Sequence, residues 1–137
     1  LLQITAGGVA RAGVAAAVGE KVTDLCGQTS LAELAGCLAL CDAVVCNDSG
    51  GMHLAAAVGT PVVAVFGMTD PSKTGPLGSG HRVVTTPGAR SRDVARDSAA
   101  ARRRLSAIDP RRVTDAAVEV LAAAGERTRG RRSAGSG

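Results

Sequence analysis

Val44-Val45-Cys46-Asn47-Asp48-Ser49-Gly50-Gly51-Met52-His53-Leu54-Ala55-Ala56-Ala57 is the stretch that decides the fold. Ala43 to Cys46 is apolar without polar alternation, the pattern of a parallel strand covered on both faces by crossover helices. A polar, glycine-rich turn follows, and then a helix opens on very small residues. Ala55, Ala56 and Ala57 let that helix approach a sheet closely, which precise placement of its N-terminus requires. This is βαβ logic.

Working outward, Gly59-Thr60-Pro61 closes the helix and Val62-Val63-Ala64-Val65-Phe66 is a second buried strand. Upstream, the pattern predicts a strand over Leu2 to Thr5, a helix from about Val9 to Val18, a strand over Val22 to Cys26 and a helix from Ser30. Ser30-Leu31-Ala32-Glu33 has capping-box spacing. From Pro87 to Leu105 the pattern fades into Ser, Arg, Asp and Ala, readable as a loop or a weak helix. Asp109-Pro110 then supplies an N-cap with Pro at the first helical position. Val113, Ala116, Ala117, Val120 and Leu121 repeat on one face until Gly125. The expected fold class is α/β, a Rossmann-like parallel sheet flanked by helices. One domain is expected over residues 1–125, with a disordered basic tail over 126–137 that has no apolar anchor.

A chain of 137 residues with 45% hydrophobic side chains is long enough to bury a real core. Residues 1–81 carry three basic and six acidic side chains and residues 82–137 thirteen and six, so the net charge of +4 divides into −3 and +7. The tail admits phosphates, an anionic membrane surface or nucleic acid as partners, but runs such as Arg102-Arg103-Arg104 read first as solvated charge. One Phe and no Tyr or Trp leave almost nothing for bases to stack on, which argues against a nucleic-acid platform. Cys26, Cys37, Cys41 and Cys46 are separated by ten, three and four residues and form no paired C-x-x-C knuckle, so neither zinc nor disulfides are expected. The composition fits a reducing cytoplasm. No apolar run approaches the roughly 18 residues of a spanning helix. Leu1-Leu2-Gln3-Ile4-Thr5 shows no basic leader and no cleavage site, and the expectation is of a cut beginning without a signal peptide.

The chemistry concentrates at the turn. The first N–H groups of a helix have no internal partner, and its dipole is positive there, so an anion is bound readily. In open α/β sheets ligands sit beyond the carboxyl ends of strands, where Asp48 and Ser49 project, and Gly50 and Gly51 let a ligand approach the backbone. A phosphate is the natural guest. The plainer alternative is that Asp48 or Ser49 caps the helix, the glycines make a tight turn and His53 packs.

Three linked segments carry a resemblance. Asp24-Leu25-Cys26-Gly27-Gln28-Thr29-Ser30-Leu31-Ala32-Glu33-Leu34-Ala35, then Asn47 to Ala57, then Gly59-Thr60-Pro61 with Phe66-Gly67-Met68-Thr69-Asp70-Pro71, together resemble glycosyltransferase family 9, which contains the ADP-heptose:lipopolysaccharide heptosyltransferases. The likeness is strongest over residues 20–78. It implies one lobe of a two-lobed GT-B glycosyltransferase, the carboxy-terminal lobe that binds a nucleotide-sugar donor. Asp48 would then meet sugar hydroxyls. Backbone amides of Ser49, Gly50 and Gly51 would hold the diphosphate, helped by the Ser49 hydroxyl, with His53 nearby. Gly27, Gln28, Thr29 and Ser30 would face the base through backbone, and Thr69 and Asp70 would flank the cleft. The resemblance further implies inverting, metal-independent transfer with no cofactor, the nucleotide-sugar being a substrate. The catalytic base would come from an amino-terminal lobe absent from this chain, which alone would be inactive. The implied acceptor is a glycan or glycolipid of the cell envelope, and the implied location is cytoplasmic or peripheral at the inner membrane face. Gly7-Gly8-Val9-Ala10-Arg11 lacks the acidic residue that some members use for the ribose, and Glu33 sits at the capping-box position instead.

Two other classes compete. Asp48-Ser49-Gly50-Gly51 is similar to the surroundings of a protease nucleophile, but His53 and His81 both follow Ser49, the turn opens a helix, and an α/β-hydrolase elbow needs Gly where Asn47 stands. A non-catalytic phosphate- or nucleotide-binding module, or a truncated remnant, shares the same turn. No G-x-G-x-x-G follows a strand, which disfavours a dinucleotide oxidoreductase.

Overall fold

Every strand pair among the described residues is parallel, as the apolar runs require. The computed structural model describes residues 2–3, 23–86 and 99–134. The helix expected from Val9 to Val18 and the segment 87–98 lie outside the described residues. The chain divides into two units, residues 1–37 and 38–137.

In the first unit β1 (Leu2–Gln3) pairs in parallel with β2 (Thr23–Asp24), Leu2 opposite Thr23. The loop after β2 turns at Gly27, whose φ of 69° is left-handed, and Cys26 N–H donates to Asp24 Oδ1 at 2.9 Å. α1 (Leu31–Ala39) starts in this unit on the expected reciprocal cap. Glu33 N–H donates to Ser30 Oγ at 3.3 Å, and Ser30 N–H and Oγ donate back to Glu33 Oε2 at 2.8 and 2.7 Å. Those bonds stabilise the ionised carboxyl of Glu33 and hold its pKa below the usual value, the backbone bond contributing most.

The second unit holds a three-stranded parallel sheet in the order β3 (Val44–Asn47), β4 (Val62–Phe66), β5 (Arg82–Thr85). Val44 lies opposite Val62, and Val65 opposite Val84. Being central, β4 is the most buried element: Val62, Val63, Ala64 and Phe66 are fully inside. Successive side chains on a strand point to opposite faces. Val63, Val65 and Val84 pack with Val113, Ala116, Ala117 and Val120 of α5 (Pro110–Ala134), and Ile108 joins that cluster. Val62, Ala64 and Phe66 point to the other face, and α2 (Gly50–Ala57) covers β3 and β4 with Met52 and Ala55 fully buried. Burying a Val or Met side chain contributes about 1.5–3 kcal/mol, so the two helices give the sheet its main support.

The end of α2 and the start of α5 follow the sequence signals closely. Gly59 has φ of 84°, its N–H reaches Ala56 O at 3.1 Å, and Thr60 N–H reaches Ala55 O at 3.0 Å, a Schellman closure of α2. The buried Thr60 Oγ1 donates to Leu38 O at 2.7 Å, fastening the far end of α2 to the end of α1. Asp109 caps α5 through Arg111 N–H at 2.9 Å. His81 bridges two strand starts: its Nδ1 accepts from Val62 N–H at 3.1 Å and its Nε2 lies 3.0 Å from Leu77 O. Two short helices complete the unit, α3 (Pro71–Thr74) and α4 (Ala99–Ser106), the second inside the segment for which loop and weak helix were both open.

α5 passes through Gly125 and remains helical to Ala134, whereas the sequence pattern placed the end of that helix at Gly125. Gly ends a helix by adopting positive φ, and Gly125 does not; Glu, Arg and Ala in this stretch are good helix formers that offset the roughly 1 kcal/mol cost of a helical Gly. Leu121, expected on the packed face of α5, is 45% exposed.

Candidate active site at the end of β3

The first turn of α2 sits directly beyond the carboxyl end of β3. Ser49 is its N-cap, extended at φ −156° and ψ 166°, yet its side chain makes no capping hydrogen bond. Its carbonyl instead accepts from Met52 N–H at 3.1 Å and His53 N–H at 3.5 Å. That leaves the amides of Gly50 and Gly51 with no hydrogen-bond partner among the described residues, at a half-exposed helix start. These are donors at the positive end of a helix. A side-chain carbon added to Gly50 would meet nothing within 4 Å, and one added to Gly51 only Ser49 Oγ at 3.7 Å. Neither has positive φ. The tight-turn explanation for the two glycines therefore fails, since the fold asks for glycine at neither position.

Asp48 is half-buried, and Thr69 Oγ1 donates to its Oδ2 at 2.6 Å. The bond joins the turn after β3 to the turn after β4 and fixes the carboxylate. Both residues line an open cleft of about 150 Å³ together with Asn47, Val65, Gly67 and Met68, which Leu105 of α4 closes on one side. Asp70 has a different local duty: its Oδ1 accepts from Ser72 N–H at 3.0 Å and Ser72 Oγ at 2.7 Å, capping α3. His53 is exposed on the first turn of α2. Thr29 and Ser30 belong to the first unit, where Ser30 is engaged in the cap of α1.

Gly67, Met68 and Leu105 were given no site role from sequence. Gly67 had a signal, being the residue directly after a strand: a side-chain carbon there would fall 2.7 Å from Leu105 Cγ and Cδ2, so any other residue would force the Leu105 side chain to shift. Leu105 had none, since its place depends on packing against a residue far off in sequence. Among the described residues no hydrogen bond links the Ser49 hydroxyl to either imidazole, and His81 is engaged between Val62 and Leu77, which removes the support for a Ser49 hydrolase. All four cysteines are half-buried thiols. Burial pushes the Cys46 thiol up to about 11.

A parallel sheet flanked by helices, with an open helix N-terminus at a strand's carboxyl end, defines a Rossmann-like lobe. The sequence comparisons narrow this class. The family model described as glycosyltransferase family 9 (heptosyltransferase) matches residues 5–102, and the chain belongs to that family. It is 45% identical over 65 residues to lipooligosaccharide heptosyltransferase 2 of Haemophilus influenzae, covering 47% of this chain and 19% of that protein. Lipopolysaccharide heptosyltransferase 2 of Escherichia coli K12 is 44% identical over 61 residues, 44% of this chain and 18% of that one. The solved structure of E. coli ADP-heptose lps heptosyltransferase II superposes with a TM-score of 0.67 at 29% identity, over 88% of this chain and 35% of that chain. The chain thus spans about a third of that structure's length.

Proposed function

We propose that this chain supplies the donor-binding site of a heptosyltransferase, taking a nucleotide-diphospho-sugar such as ADP-heptose for transfer to a lipopolysaccharide core acceptor at the cytoplasmic side of the cell envelope. The observation that carries the reading is the pair of unpartnered amides at Gly50 and Gly51, on glycines that the fold does not require. Family membership and the named relatives support the substrate class.

In this reading the amides of Ser49, Gly50 and Gly51 hold the diphosphate. Fixed N–H dipoles meet the negative charge that develops on the departing diphosphate without having to reorganise. One carboxylate oxygen of Asp48 is held by Thr69 and the other accepts from sugar hydroxyls. The Ser49 hydroxyl, left free by the absence of a side-chain cap, joins the phosphate oxygens, and His53 adds a donor on the same turn. Asp70, through its cap on α3, keeps Thr69 in register. Inverting transfer needs a general base on the acceptor hydroxyl, on the face of the sugar opposite the diphosphate. That carboxylate is assigned to an amino-terminal lobe, so the 137-residue chain by itself binds donor weakly and transfers nothing. The nucleotide-sugar is a substrate, and the reaction uses no resident metal or cofactor.

Titration of the chain with ADP and ADP-heptose, followed by amide NMR, tests the site. Shifts concentrated at Ser49 to His53 are expected, and a spectrum unmoved at millimolar ligand overturns the assignment.

A further inference from the structure

A second cavity, of about 390 Å³, opens at the carboxyl end of β5 and is lined by Thr86, Ala100, Arg103, Arg104 and Ala107. Two of its lining residues hold polar atoms that burial leaves unsatisfied. Thr86 is 8% exposed and its Oγ1 has no hydrogen-bond partner among the described residues, and Nη1 of Arg104 is likewise buried and unpartnered among them. Buried donors without acceptors are rare in folded proteins, and an unpaired guanidinium N–H is the costlier kind. Arginines in the last turn of α4 complement the negative end of that helix, but this accounts for their position and not for a buried Nη1 with nothing to donate to.

The surroundings add positive charge. Arg112 Nη1 donates to Thr85 O at 3.1 Å beside the cavity, and Arg103 lines it. Among the described residues the carboxylates of Asp109 and Glu119 are engaged elsewhere, Asp109 on Arg111 N–H and Glu119 with Arg82 at 3.0 Å. What fits two guanidinium groups and a hydroxyl is a ligand made only of acceptors, with enough oxygens to meet all three. The volume far exceeds what one water needs, so there is room for a tetrahedral oxyanion with its own hydration.

We propose that Thr86, Arg103 and Arg104 form a phosphate-binding site at the end of β5, separate from the donor cleft and walled from it by α4. One turn of that helix serves both sides, Leu105 lining the donor cleft and Arg103 and Arg104 the oxyanion cavity. Phosphate reaches such a site either as the free ion or as a monoester on a sugar. The second source would place a phosphorylated glycan beside the donor.

The test is NMR of the full chain, reading backbone amides and arginine Nε–H groups, with inorganic phosphate and a sugar phosphate monoester titrated at constant ionic strength. Saturable shifts at Thr86, Ala107 and Arg104 are expected, weakened at least tenfold by Arg104→Met and by Thr86→Val. Thr86→Val removes an unsatisfied hydroxyl at nearly constant shape, so it is expected to fold and to melt no lower than the parent without ligand. Tighter binding of the monoester assigns the site to a phosphorylated sugar, and tighter binding of inorganic phosphate assigns it to the free ion. Thr86 and Arg104 unmoved at tens of millimolar of either ligand, or both variants responding as the parent does, overturns the proposal. Amides of Gly50 and Gly51 report the donor site in the same spectra, so either site can fail without the other.

Discussion

Replacing both glycines at the start of α2 by alanine separates what the fold needs from what a ligand needs. In the structure both added methyl groups meet open space or ordinary contact, and neither backbone is left-handed. Glycine in a helix is unfavourable relative to alanine by about 0.5–1 kcal/mol, with the lower end appropriate to a first turn, so the double variant should gain about 1 kcal/mol in all. For a chain of this length that raises Tm by about 3–5 °C. The same methyl groups stand where a diphosphate must approach the amides, and ADP-heptose affinity should fall at least about tenfold, or about 1.4 kcal/mol. Urea denaturation gives the first quantity and NMR or calorimetric titration the second. A variant less stable than the parent would show that the fold needs glycine there, and one that is stabilised but binds donor normally would refute the close-approach argument.

Other substitutions probe neighbouring links. Thr69→Val removes the donor that holds Asp48 and should lower donor affinity about tenfold, with stability falling by about 1 kcal/mol; unchanged affinity would mean that Asp48 needs no positioning. Cys46, raised from 9.0 to about 11, should carry about a hundredfold less thiolate than an unfolded thiol, and iodoacetamide at pH 8 should label it correspondingly slowly in the native chain. Its folded pKa being the higher, stability attached to Cys46 is full below pH 9 and lost as the pH rises towards 11. The Glu33 carboxyl is shifted the other way. Its contribution is present above the unfolded value of 4.5 and lost as pH falls through the lower folded value, so the stability gap between parent and Glu33→Gln should be widest near neutrality and close in acid.

The β3-turn-α2 unit, the cap at Ser30 and Glu33, the closure at Gly59 and the start of α5 were all readable because each depends on contacts within a few residues. The end of α5 was not: Gly125 looked like a stop, but only its backbone conformation decides whether a glycine terminates a helix. α4 stayed ambiguous because Ala99 to Ser106 has no apolar stripe and rests on Leu105 and the adjacent Ile108. In the site, the residue types at the turn were legible, whereas the Thr69 bond to Asp48 spans 21 positions and exists only through sheet register. Asp70 is instructive. Asp-Pro at 70–71 is the same cap signal that was recognised at 109–110, and its carboxylate serves α3 accordingly.

The buried bond from Thr60 to Leu38 has a mechanical side. An eight-residue helix is a stiff rod of about 12 Å, so clamping its rear fixes how far its tip protrudes. Damage at position 60 would let the rod slide along its axis and misplace the tip, producing a weak binder whose lesion touches no ligand.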